Sequence, residues 1–218
     1  MTAPAAPSTQ PQARITRTRI KICGITSVQL AMAAVEAGAD AIGLVFAPGS
    51  PRQVLPGLAA QIARALPPLI SAVGIFRNPS DPEVMNWRGE WVQLHGSEEE
   101  SQVSRLAQQH RRVIKGITFD STQIAKWDAS PNVSAILIDG AAPGSGRAFD
   151  HAALAALTPM LRTPVIIAGG LTVQNVAGAI KAIRPFGVDV SSGVESSKGM
   201  KDAGMIREFC AAVRETDQ

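Results

Sequence analysis

The chain has 218 residues, about the length of one domain. Hydrophobic residues make up 45% and charged residues 18%, enough apolar material for a core of its own, which excludes a largely disordered protein. The 21 Lys and Arg are scattered and exceed the 18 Asp and Glu by only three, so no nucleic-acid stripe and no polybasic membrane patch is expected. No apolar run approaches the roughly 18 to 20 residues of a membrane span.

Two cysteines 187 positions apart, with no C-x-x-C, make no disulfide framework, and three histidines without ligand spacing make no zinc site. A reducing cytoplasm is therefore the expected compartment, and no metal is expected. Nine residues are Phe or Trp and none is Tyr, so no aromatic patch announces an interface and a monomer is expected.

Residues 1–18 are rich in Pro, Ala, Thr, Ser and Gln without an apolar h-region, and read as a flexible tail rather than a secretory signal. Arg14, Arg17 and Arg19 have the flavour of a weak organelle transit peptide, but no amphipathic stripe supports it. Residues 19–218 read as one catalytic domain.

Along that domain eight short β-rich runs alternate with helical stretches: RIKICGI, AIGLVF, ISAVGIF, WVQLHG, VIKGITF, AILID, PVIIAGG and GVDVSS. Their predicted ends, Cys23, Phe46, Phe76, Gly96, Phe119, Asp139, Gly170 and Ser191, recur every 20 to 31 residues. A helical crossover between parallel neighbours needs about that length, so the pattern predicts a single, minimal (β/α)₈ TIM barrel of the α/β class. An open doubly wound sheet would want G-x-G-x-x-G after the first strand, where Cys-Gly-Ile-Thr stands. Helices are predicted over 27–38 and 97–110, with Ser27 and Ser97 as caps and Gly38 as the first terminator.

Barrel enzymes work at the carboxyl ends of their strands, so the residues closing each run are the candidates. In the first run, alternation puts Lys21 and Cys23 on one side. A lone cysteine is ordinarily a small buried hydrophobe, but one at a strand's carboxyl end near a cation such as Lys21 has the position of a base or nucleophile with a lowered pKa. Cys210 shares helical spacing with Ile206, Phe209 and Val213 and reads as core. After the second run, Arg52 is either a solvated loop residue or a bidentate clamp for a carboxylate. His95, closing the fourth run, is a pocket residue or a satisfied structural histidine.

Asp139 closes the sixth run after four apolar residues; an Asp there can simply cap a turn, or complete an acid/base pair with Cys23. The seventh and eighth runs end in Ala168-Gly169-Gly170-Leu171-Thr172 and Ser191-Ser192-Gly193, small residues where barrel enzymes commonly bind phosphate.

KICGIT (21–26), GLVF with SPRQV (43–46, 50–54), VGIF followed by Asn78, VQLHG (92–96), GSGRAFD (144–150), AGGLT with NV (168–172, 175–176) and GVDVSSGVE with KD (187–195, 201–202) resemble phosphoribosylanthranilate isomerase of tryptophan biosynthesis. The match runs in order from about residue 19 to 214. The resemblance implies an Amadori rearrangement of a phosphosugar–anthranilate substrate without cofactor or metal. It implies Asp139 as general acid at the furanose oxygen, Cys23 as general base at C2′ and Arg52 on the anthranilate carboxylate. Gly169, Gly170, Ser192 and Gly193 would hold the phosphate. Lys21 is expected inside the barrel beneath Cys23, where an unpaired ammonium is costly, so a polar partner such as Gln93 or Asp189 is expected. Ser191 and Asp189 complete the strand 8 candidates.

Two stretches depart from the family pattern. The loop Gly140–Arg147 is short and Phe149-Asp150 is followed by His151, which bears on loop closure and substrate breadth; Ser197-Lys198-Gly199 stands where Pro-Gly is usual. The nearest enzyme rival is the related aminoaldose isomerase of histidine biosynthesis, which resembles the chain less: it carries an Asp where Cys23 stands and needs a second phosphate cluster at strands 3 and 4. A catalytically silent sugar-phosphate-binding barrel is the rival of another class.

Overall fold

The computed structural model describes residues 17–140 and 151–218. The expected features of residues 1–16 and of the loop 141–150, including GSGRAFD, lie outside the described residues. Eight parallel strands close into a barrel in chain order: β1 (Arg19–Cys23), β2 (Ala41–Val45), β3 (Ser71–Phe76), β4 (Trp91–Leu94), β5 (Arg112–Thr118), β6 (Val133–Asp139), β7 (Val165–Ala168) and β8 (Gly187–Val190). β8 pairs back onto β1 with Lys21 opposite Asp189. Helices follow the strands: α1 (Val28–Glu36), α2 (Pro56–Ala65), α3 (Asp81–Met85), α4 (Glu100–Gln108), α5 (Ser121–Ala129), α6 (His151–Leu157), α7 (Val176–Ile183) and α8 (Ala203–Thr216).

Strand alternation divides the apolar residues between two cores. Ile20 and Ile22 of β1, and Ile136 and Ile138 of β6, face the helices, whereas Val73, Ile75, Ile114, Ala135, Leu137, Ile166 and Ala168 fill the barrel. The same parity carries inward from Ala135 and Leu137 to Asp139, and puts Lys21 and Cys23 on the barrel side of β1. On α8, Ile206, Phe209, Cys210 and Val213 are all fully buried, as their spacing predicts; burying the larger of them contributes roughly 1.5–3 kcal/mol each. Asp202 caps that helix by accepting from the Met205 N–H at 2.8 Å, a contact worth about 1 kcal/mol.

The differences from the sequence reading are local. β2, β4, β5, β7 and β8 end one or two residues early; after β7 the chain turns through Gly169 (φ +83°) and Gly170 (φ +67°) and cannot continue as strand. Ser27 caps α1 and Gly38 closes it, as expected. Ser97 caps nothing: its N–H and Oγ bind Asn78 Oδ1, and α4 begins only at Glu100. Arg17 pairs with Asp40 and Thr18 hydrogen-bonds Asp217 through both N–H and Oγ, so these two residues of the expected tail touch the barrel. Beyond β8, a 3₁₀ turn (Ser192–Val194) leads into an unanticipated hairpin of β9 (Glu195–Ser197) and β10 (Met200–Lys201).

Candidate active site

The carboxyl ends of the strands enclose a cavity of about 680 Å³ lined by Cys23, Arg52, Gln93, His95, Asp139, Gly169, Gly170, Asp189, Ser191, Ser192 and Glu195 among others. Its floor is a polar layer inside the barrel. Lys21 Nζ donates to Asp189 Oδ1 at 2.7 Å, both side chains being buried. Asp189 is thus the polar partner expected for Lys21; Gln93, the other possibility, faces His95 instead. Gly43 on β2 makes room for this layer, since a Cβ there would stand 3.2 Å from Lys21 Nζ. Burial opposes the Lys21 charge, but Asp189 and the neighbouring Cys23 sulfur outweigh it and raise the ammonium's pKa.

Cys23 sits above this pair at the mouth. The expectation that Lys21 would lower its pKa is corrected: burial is the larger effect and pushes the thiol up to about 11, with Lys21 only partly offsetting it. A thiolate in so enclosed a place loses more hydration than one nearby cation, itself neutralised by Asp189, can return.

Arg52 comes from the loop after β2 and is held in a fork by Glu195: Nε donates to Oε1 at 2.6 Å and an Nη to Oε2 at 2.8 Å. Glu195 also accepts from the Gly199 N–H at 3.0 Å and from Lys201 Nζ. Burial works against the Glu195 charge, yet these donors outweigh it and hold its carboxyl down at about 2. The hairpin seats closely on the same loop, because Gly199 leaves no space for a Cβ beside Pro51. So the Ser197-Lys198-Gly199 departure forms the turn of β9 and β10, with Gly199 at φ +85°.

On the far side, His95 Nε2 lies 3.4 Å from Asp139 Oδ2 and its Nδ1 lies 3.0 Å from Gln93 Nε2. Asp139 Oδ1 stands over Gly169, where any Cβ would collide with it. The rim is completed by Ser191, Ser192 and Gly193; Gly193 lies so close to the Leu171 carbonyl that only glycine fits, and Ser191 is tied by its carbonyl and Oγ to Lys201 at 3.1 and 3.3 Å. Of the eleven residues singled out in the sequence, nine line this cavity; Lys21 lies beneath it on Asp189, and Gly193 packs behind it on Leu171. Glu195, Lys201 and Gln93's link to His95 were missed; GVE and KD carried the first two only as pieces of a motif.

A barrel whose mouth sets a thiol and a carboxyl around one cavity, beside glycine-rich turns on its last two strands, has the make-up of a (β/α)₈ barrel enzyme, whose active sites lie at this end. Residues 20–212 match the family model of N-(5'phosphoribosyl)anthranilate (PRA) isomerase. An N-(5'-phosphoribosyl)anthranilate isomerase of Pseudomonas fluorescens is 45% identical over 207 residues, covering 90% of this chain and 98% of that one. The phosphoribosyl anthranilate isomerase of Thermotoga maritima superposes with a TM-score of 0.82 at 35% identity, over 91% of this chain and 99% of that one. A phosphoribosyl anthranilate isomerase in complex with reduced 1-(o-carboxyphenylamino)-1-deoxyribulose 5-phosphate gives 0.80 at 34% identity over the same shares. The chain belongs to the phosphoribosylanthranilate isomerase family, and is an isomerase.

Proposed function

We infer that the chain converts N-(5-phosphoribosyl)anthranilate to 1-(o-carboxyphenylamino)-1-deoxyribulose 5-phosphate, an Amadori rearrangement in tryptophan biosynthesis. The observation that carries the residue roles is the convergence of Cys23 and Asp139 on one cavity. Asp139 gives its proton to the furanose ring oxygen as the C1′–O bond breaks, and the nitrogen lone pair forms the iminium. Cys23, a thiol at rest, loses its proton to solvent once the iminium stands beside it, and the thiolate so formed removes the C2′ proton; the C–H electrons become the C1′=C2′ bond of the enolamine and the iminium charge is discharged. Loss of the 2′-hydroxyl proton and protonation at C1′ give the ketone. The iminium beside the sulfur supplies the charge that offsets the burial of the thiolate.

Arg52, pre-oriented by Glu195, retains donors for a substrate carboxylate. Gly170, Ser192 and Gly193 present backbone at the β7–β8 rim for the phosphate. Turnover of freshly prepared phosphoribosylanthranilate, followed by loss of anthranilate-type fluorescence, is the direct test. Wild type should turn over rapidly, and Cys23→Ala and Asp139→Asn should each lose about 10²–10⁴-fold. No turnover by folded wild type removes the proposal in favour of a ligand-binding barrel.

The substrate is a small phosphosugar, and the chain is read as a monomer. Cys23 and Cys210 are both free, which supports a cytoplasmic setting; among the described residues no helix is long and apolar enough to cross a membrane. The surface that tests the monomer is the amino end of the barrel, where Leu69 is 99% exposed at φ +73° beside a cavity lined by Trp91, Ile114, Ile166 and Phe186. Sedimentation velocity is expected to give one copy; a heavier species that Leu69→Asp dissociates would overturn it.

A further inference from the structure

Gln93 and His95 take no part in the proton transfers above, yet they stand in line with Asp139. Gln93 ends the barrel-facing parity of β4 and is 1% exposed; its Nε2 is 3.0 Å from His95 Nδ1, and His95 Nε2 is 3.4 Å from Asp139 Oδ2. β5 is shaped to receive the imidazole: a Cβ at Gly116 would stand 2.8 Å from Nδ1 and 2.9 Å from Cγ. The buried Gln93 Oε1 has no hydrogen-bond partner among the described residues.

Turning the amide by half a turn would let Oε1 accept from an Nδ1–H but would put the buried NH₂, unpaired, where Oε1 now stands, so one end of the amide is unmatched either way. The turned arrangement would leave Nε2 as a lone pair facing the Asp139 carboxylate. With the proton on Nε2 an N–H faces the carboxylate across 3.4 Å, Nδ1 becomes the acceptor, and Gln93 must present its NH₂. The choice between the two orientations therefore falls to the carboxylate that faces Nε2. We propose that Gln93 fixes His95 as its Nε2–H tautomer and that His95 in this form positions Asp139, facing Oδ2 from 3.4 Å while Oδ1 stands over Gly169. As Asp139 surrenders its proton, the charge left on it meets a donor already in place. Gln93 and His95 are positioning residues, and the inference rests on the general-acid role of Asp139 proposed above.

Gln93→Met keeps the length and burial of the side chain while deleting both the NH₂ and the orphaned oxygen, so the melting temperature should hold or rise. Its kcat is expected to fall about tenfold with KM little changed, as for a misplaced catalytic group. The His95 ring ¹⁵N shifts should move from the Nε2–H pattern to mixed tautomers. Gly116→Ala, which crowds the ring from β5, should give the same kinetic signature. His95→Asn should lose at least as much, and the Gln93→Met/His95→Asn double variant no more than His95→Asn alone, because Gln93 acts through His95. Wild-type kcat in Gln93→Met, an unchanged tautomer, a lowered melting temperature, or additive losses in the double variant would each overturn the proposal. Full turnover in Asp139→Asn would instead remove the acid assignment beneath it.

Discussion

Arg52 and Glu195, 143 residues apart in the chain, meet as a two-bond fork at the rim of the barrel, Nε to Oε1 at 2.6 Å and Nη to Oε2 at 2.8 Å. The fork uses one edge of the guanidinium and aims the remaining N–H groups, so Glu195 sets the direction in which Arg52 can take an anion. Arg52→Lys keeps the charge and loses the planar pair of donors. A hydrogen bond to a charged group is worth about 1.5–3 kcal/mol, so KM for phosphoribosylanthranilate should rise by roughly 10- to 100-fold with kcat held within a few-fold. Steady-state kinetics decide it, and an unchanged KM would remove Arg52 from the substrate's carboxylate.

Glu195 also ties acid stability to this rim. Its folded pKa is depressed from 4.5 to about 2 by Arg52, Lys201 and the Gly199 N–H, against the effect of burial. A depressed carboxyl contributes stability that is fully present above the unfolded value and is lost as pH falls through the folded one. The wild type should therefore lose melting temperature between about pH 4.5 and 2 more steeply than Glu195→Gln, whose amide does not titrate. Thermal melts across that window provide the comparison; parallel curves would show that the fork carries no pH-linked stability.

The barrel was legible because its signals are local. Eight β-branched runs at crossover spacing place every strand to within a residue or two, and strand parity puts Lys21 and Cys23 on one side, which the barrel makes its inside. What stayed hidden depends on tertiary neighbours. Glu195 and Lys201 sit in GVESSKGMK, a polar stretch too short for periodicity to mark as a hairpin, and their meaning comes from Arg52 in a distant loop. Lys115 looks like an ordinary strand lysine, yet its Nζ is buried 2.5 Å from Glu98 and over the Trp127 ring, holding the loop after β4 against β5. The Cys23 thiol was misjudged because Lys21 is visible two residues away in the sequence and burial is not.

That thiol gives a chemical test. With its pKa pushed up to about 11 by burial, Cys23 is almost wholly protonated at neutral pH, and its reactive thiolate should grow about tenfold per pH unit below that value. Iodoacetamide labelling of Cys23, read by peptide mass spectrometry, is expected to climb steadily from pH 7 to 10. Cys210, fully buried in α8, is the internal control and should stay unlabelled while the fold holds. A plateau in Cys23 labelling near pH 8 would mean that Lys21 wins over burial after all.

Gly169 and Gly170 stand side by side in left-handed conformations, yet their surroundings predict different losses on substitution. A Cβ at Gly170 meets nothing within 4 Å, so Gly170→Ala carries chiefly the backbone penalty of φ +67°. That penalty is about 1–2 kcal/mol, or roughly 2–8 °C in a domain of this size. Gly170→Ala should leave kcat within about twofold, and raise KM if the phosphate approaches that backbone. At Gly169 (φ +83°) the Cβ would strike both the Gly140 backbone and Asp139 Oδ1. Gly169→Ala must therefore move the carboxyl, and kcat should fall by tenfold or more, on the order expected for a catalytic group displaced by about 1 Å. Melts and steady-state kinetics on the two variants separate the cases. Equal kcat values would show that Gly169 serves the turn alone and that the seat of Asp139 adapts to a methyl group.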